Sequence, residues 1–229
     1  MQDTEEISSI LYGDVHKFVD TPVGIAYDEV VFEMFGTPGE IRLRDNAKGT
    51  EVLLKKDSLK RLYDQSNLSK SVIKKTIKAH ATILKYGIKT GNERVIVLDC
   101  KTGKKVTDKT GTSSRVVFEL SQNYKGELIA IHNHPSSVPF SPIDLNTFGS
   151  YKQIRFLVVQ GHDGSVYALR KTVDVDYFHT ERSLSLVLTS IATNPKYIEK
   201  TDVEIGKIFI KMIANVMKWE FVFGGKCNE

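Results

Sequence analysis

His132 and His134 stand two apart, directly after the apolar run Leu128-Ile129-Ala130-Ile131, and Ser141, Pro142 and Asp144 follow soon after. On a strand, residues two apart point to the same face, so both imidazoles would leave one side of a sheet. Pro135 cannot donate to a sheet ladder, which predicts that the strand ends there. Ser141 then fits a helix N-cap, Pro142 the first helical position and Asp144 the third. Two imidazoles and one carboxylate make a set of three nitrogen and oxygen ligands. Zinc takes such a set readily and keeps its fourth tetrahedral position for water, whose pKa it lowers to about 7. A His-x-His pair on a strand is ordinary by itself. Followed by Ser-x-x-Asp at a helix start, it is specific.

His132-Asn133-His134-Pro135 with Ser141-x-x-Asp144 resembles the signature of the JAMM (MPN+) zinc metallopeptidases, which RadC-like proteins share. The resemblance spans Ser69 to Lys171. It implies that His132, His134 and Asp144 bind Zn2+, and that Ser141 hydrogen-bonds the water or the tetrahedral intermediate. It implies an α/β fold with a mixed, curved sheet flanked by helices, of the JAMM or cytidine-deaminase-like kind. The implied reaction is hydrolysis of a peptide or isopeptide bond. The implied partner is a protein or peptide substrate, with a ubiquitin-like or sulfur-carrier tail among the options.

Hydrolysis through zinc-activated water also needs a proton acceptor that is not a zinc ligand and that later serves the leaving amine. Glu93, Glu119 and Glu127 are the candidates. In the family this glutamate opens the first strand after the first long helix, and Glu93 stands in that position. Glu119, near the end of an expected strand, and Glu127, shortly before His132, remain alternatives.

The elements needed to position these residues can be read around them. Helical spacing of Ile73, Ile77, His80 and Leu84 predicts a helix opening at Ser69 and capped at Gly87, with His80 a hydrogen-bonded core histidine. Val95–Leu98, Arg115–Phe118, Phe156–Val159 and Val166–Leu169 read as strands around the histidine strand. Lys101–Lys104 reads as a turn. Asp163-Gly164 is a hairpin signal, with His162 exposed on the turn. Residues 1–67 form an N-terminal α+β flank. There Val30-Val31-Phe32 is an apolar run, Gly36-Thr37-Pro38-Gly39 a turn, Ile41–Arg44 and Val52–Leu54 a hairpin, and Asp57 opens a short helix. Residues 68–172 make the JAMM-like domain and 173–229 a C-terminal helical extension. In that extension Thr201 and Glu204 match a capping box, and Ile205, Ile208, Phe209, Met212, Ile213 and Val216 form an apolar face.

The chain has 229 residues and a net charge of only +4, with its lysines dispersed, which does not favour a nucleic-acid partner. No apolar run has the length of a membrane span, and the acidic first residues lack the pattern of a secretory signal. With two cysteines, Cys100 and Cys227, and no Cys-x-x-Cys pair, a reducing, cytoplasmic compartment is expected. Cys100 reads as a small core residue. Two other functions fit the same motif: a RadC-like, mobile-element protein associated with DNA, and a binding module that keeps the metal site and cleaves nothing.

Overall fold

The computed structural model describes residues 40–45, 50–55, 59–60, 62–63, 66–173 and 177–223. The expected apolar run at Val30–Phe32, the turn at Gly36–Gly39, the hairpin loop at 46–49, the cap at Asp57 and Cys227 lie outside them. The described elements are β1 (Glu40–Asp45), β2 (Thr50–Lys55), α1 (Lys70–Thr90), β3 (Arg94–Asp99), β4 (Lys105–Thr110), β5 (Leu128–His134), α2 (Pro142–Ser150), β6 (Ile154–Gly161), β7 (Val166–Lys171), α3 (Tyr177–Ala192), α4 (Asp202–Met217) and β8 (Trp219–Phe223). The fold is mixed α/β. β1 and β2 pair antiparallel as the expected hairpin, and the main sheet runs β4-β3-β5-β6-β7-β8 without closing. β5 is antiparallel to β3 and parallel to β6. By contacts the described residues form two compact units. One holds Val138–Lys152 and Arg170–Phe221; the other holds the described residues from Glu40 to Ser137, Gln153–Leu169, and Val222 and Phe223.

In the second unit, α1 covers one face of the sheet. Ile96 and Leu98 of β3, Ile129 and Ile131 of β5, and Phe156 and Val158 of β6 share a core with Val72, Ile83, Leu84 and Ile88 of α1. Strand alternation therefore turns Val95, Val97, Ala130 and His132 to the opposite face. Cys100 is buried in the same core, and burial pushes its thiol up to about 12, which makes it a poor nucleophile.

Two expectations change in this unit. α1 continues past Gly87 and ends at Gly91, whose φ of 70° and N–H bond to the Gly87 carbonyl make the C-cap. Gly87 is inside the helix because a Cβ there would lie 2.2 Å from His162 Nε2 and 2.5 Å from Asn133 Nδ2. Arg115–Phe118 is not a strand, and Val117 is 59% exposed. Lys105–Thr110 takes the β3 edge instead, and β5 holds the other edge, so none is left for it. The turn into β4 is built by Asp99, whose Oδ1 accepts from the Thr102 N–H at 2.7 Å and the Thr102 hydroxyl at 2.6 Å. The carboxylate of Asp108 on β4 takes a two-pronged bond from Arg94 at 2.8 and 2.9 Å. This pair holds the Asp108 carboxyl below its usual range.

In the first unit, α4 carries the expected capping box of Thr201 and Glu204. Its buried face is turned from the expected one. It consists of Gly206, Phe209, Ile210, Ile213, Ala214 and Met217, while Val216 is exposed. Gly206 brings the helix close to Pro139. Lys171, buried at the end of β7, donates to the Phe148 and Tyr151 carbonyls at the C-terminal end of α2.

His80 is a hydrogen-bonded core histidine as expected, 2.9 Å from the Tyr63 hydroxyl and 3.1 Å from Gln160 Oε1. Burial lowers its pKa to about 4. A folded-state value below the unfolded 6.5 means that the unfolded chain binds the extra proton between those two values. The contribution of neutral His80 is thus complete above pH 6.5 and is lost as pH falls towards 4. Urea unfolding of wild type should weaken across that window by roughly 3 kcal/mol more than unfolding of His80→Gln. Parallel pH curves for the two proteins would refute this. Gly87→Ala should gain up to about 1 kcal/mol of helix propensity yet lose about 1–3 kcal/mol to the clash, for a net drop in unfolding midpoint. An unchanged or raised midpoint would count against the packing described here.

Candidate metal centre

β5 delivers the two histidines. Its ladder with β3 runs to Val95 opposite His132, and its ladder with β6 runs to His134 opposite Gly161. Pro135 follows, and the strand ends at His134 as the sequence predicts. Both rings leave the face turned away from α1. They are 3% and 6% exposed, with centroids 4.8 Å apart at 69°. The two Nε2 atoms converge to 3.0 Å. Ring nitrogens at that separation need a shared proton or a shared cation between them.

α2 delivers the carboxylate. Ser141 is its N-cap, Pro142 is in the first turn and Asp144 is the third helical residue, as expected. The Ser141 Oγ accepts from the Asp144 N–H at 3.2 Å. Asp144 Oδ2 accepts from both the Ser141 N–H and the Ser141 hydroxyl at 2.7 Å. This reciprocal box fixes the direction of the carboxylate. It also uses the one hydroxyl proton of Ser141.

His132, His134 and Asp144 each offer one ligand atom, and these atoms all lie within 4.8 Å of one another. Ligand atoms around a tetrahedral zinc, at the usual bond lengths, are about 3.3 Å apart. The group, two imidazoles and one carboxylate, could therefore hold a metal ion.

The three candidate bases differ sharply. Glu119 is exposed in an irregular segment, and Glu127 is exposed with Arg155 at 3.6 Å. Glu93 is 7% exposed and immediately precedes β3. Continuing the β3–β5 register by two residues puts Glu93 opposite His134, on the face that His132 and His134 share.

Sequence reasoning passed over the residues behind the histidines. Asn133 is fully buried on the α1 face, and His162 is half-buried, not exposed, with Nε2 2.8 Å from Asn133 Nδ2. The available signal was a polar residue inside an apolar strand, whose four hydrogen-bonding sites need partners when buried. No protein-family model, curated protein or solved structure matches the chain. No helix among the described residues is long and apolar enough to cross a membrane.

Ser141→Ala should remove the cap, costing about 1 kcal/mol of stability, and release Asp144 Oδ2. Zinc affinity, measured by competition with a chelating dye, should fall about 10–100-fold, as for other residues that orient ligands. Wild-type affinity in a folded Ser141→Ala protein would show that the cap does not hold a ligand.

Proposed function

We propose that the protein is a zinc-dependent hydrolase of peptide or isopeptide bonds, with His132, His134 and Asp144 as metal ligands and Glu93 as general acid–base. The observation that carries this reading is the convergence of two imidazoles and a cap-oriented carboxylate, with Glu93 buried just before β3, the strand antiparallel to the histidine strand. Zinc held there supplies Lewis-acid activation of water and of a substrate carbonyl.

The chain's own groups do the rest. His132 and His134 contribute neutral nitrogens, and Asp144 offsets part of the charge of the cation. Glu93 accepts a proton from the attacking water and returns it to the leaving amine, which keeps the amine from being expelled as an anion. Its burial keeps that proton from exchanging freely with solvent. Ser141 orients Asp144 in the resting arrangement. To donate to a developing oxyanion, its hydroxyl has to turn away from Asp144 Oδ2. The motif also supports a protein or peptide as the substrate class, a ubiquitin-like or sulfur-carrier tail included.

The test uses full-length, zinc-loaded protein and a mixed pool of internally quenched peptides, with a lysine-linked isopeptide in parallel. Glu93→Gln should keep wild-type zinc stoichiometry and lose about 10²–10⁴-fold in rate. Glu119→Gln and Glu127→Gln should stay active. Loss in a control with activity retained in Glu93→Gln would reassign the base. A wild-type protein that binds zinc and cuts neither probe would count against hydrolysis of these bonds.

A further inference from the structure

Asn133 lies between the two histidines and faces the other way. Its amide makes three hydrogen bonds. Oδ1 accepts from the Arg94 N–H at 2.8 Å, Nδ2 donates to the Asn92 carbonyl at 2.9 Å, and Nδ2 lies 2.8 Å from His162 Nε2. A backbone N–H can only donate and a carbonyl can only accept, so the two backbone partners fix which way the amide points. They also make His162 Nε2 the acceptor of the third bond.

The two backbone partners flank Glu93. The β3–β5 backbone ladder stops at Val95 and His132. Beyond it, the Asn133 side chain joins the strands. On the opposite edge the Glu93 N–H donates to the Thr112 carbonyl at 2.8 Å, and the Glu93 carbonyl accepts from the Gly111 N–H at 2.9 Å. The segment Asn92-Glu93-Arg94 is thus tied on both edges. On the β5 edge the tie is the residue covalently between His132 and His134. Gly87 leaves room for the Asn133–His162 pair beneath α1.

We propose that Asn133 is a positioning residue that sets the distance between the Glu93 carboxylate and the nitrogens of His132 and His134. The histidines face the site, and the residue between them clamps the base from behind the sheet. A shift of one pair then shifts the other, and the spacing between base and ligands is preserved. This rests on the role proposed above for Glu93, whereas the clamp itself is a matter of hydrogen bonds within one sheet.

The experiment uses full-length protein with Co2+ as the probe metal and carbon-13-labelled glutamate. Asn133→Ala removes all three bonds. Asn133→Asp keeps the acceptor for Arg94 and loses the donor to Asn92. Paramagnetic shifts report where the Glu93 carboxylate lies relative to Co2+. In both variants the Glu93 signal should move, while the histidine ring signals stay near wild type and Co2+ affinity changes by less than about threefold. Exchange of the Arg94 amide should accelerate in Asn133→Ala and stay closer to wild type in Asn133→Asp. On the peptide that wild type cuts fastest, kcat should fall about 10–100-fold with little change in KM, as expected for a misplaced catalytic group. Faster Arg94 exchange with an unmoved Glu93 signal would overturn the proposal and leave Asn133 a mere closure of the ladder. A parallel loss of Co2+ affinity would overturn it too, since Asn133 would then act on the histidines. If Asn133→Ala does not fold, Asn133→Asp decides by the Glu93 signal. A wild-type protein that binds Co2+ but cuts nothing defeats the hydrolase reading, and the Glu93 signal still decides the role of Asn133. A wild type that binds no Co2+ defeats both.

Discussion

The register of β5 is the constraint on which the candidate centre depends. The strand sits between β3 and β6 and is buried along its whole length, so its backbone groups are largely spent on neighbours. Only side chains are left to carry chemistry, and alternation assigns each of them a face. A slip by one residue would drive both histidines into the core beneath α1 and turn Asn133 towards the site. Hydrophobicity alone does not prevent that slip, because Leu128 and Ala130 on one face are as apolar as Ile129 and Ile131 on the other. The polar residues decide. Asn133 finds its partners only in the observed register.

Two polar networks sit on the α1 face, at neighbouring positions of β5 and β6. One is Tyr63, His80 and Gln160, with Gln160 Nε2 also donating to the Gly161 and Ser165 carbonyls. The other is Asn133 with Asn92, Arg94 and His162. A satisfied hydrogen bond contributes about 1 kcal/mol net, while a buried group left unpaired costs about 1–3 kcal/mol. Such networks therefore add little to stability. They penalise every arrangement that breaks them, and so they select one packing of α1 on the sheet. Gly87 is part of the same selection, since any side chain there would displace the ring and the amide it faces.

Ser141 and Asp144 carry two duties. As a capping box they would exist at the start of many helices with no metal nearby. What a cap does not require is an aspartate ligand atom close to two converging imidazole nitrogens. The cap binds one carboxylate oxygen firmly, and that fixes the direction of the other. At the far end of the same helix, the buried Lys171 side chain donates to the Phe148 and Tyr151 carbonyls.

Local chemistry was legible in the sequence. Proline ended β5 after His134, a serine, a proline and an aspartate opened α2, Asp163-Gly164 turned β6 into β7, and Thr201 with Glu204 capped α4. Each depends on residues a few positions apart, whose backbone preferences act without help from the rest of the chain. Tertiary structure decided what depends on distant partners. Gly87 looked like a helix end because glycine tolerates a left-handed cap, yet it is interior because Asn133 and His162 approach it. Arg115–Phe118 looked like a strand by composition, but β4 and β5 had taken both edges of β3. The three glutamates were told apart only by folding, which buried Glu93 at the start of β3 and left Glu119 and Glu127 exposed. Propensity is a property of a short segment, whereas an available sheet edge, a close approach and a cross-strand neighbour exist only once the chain has folded.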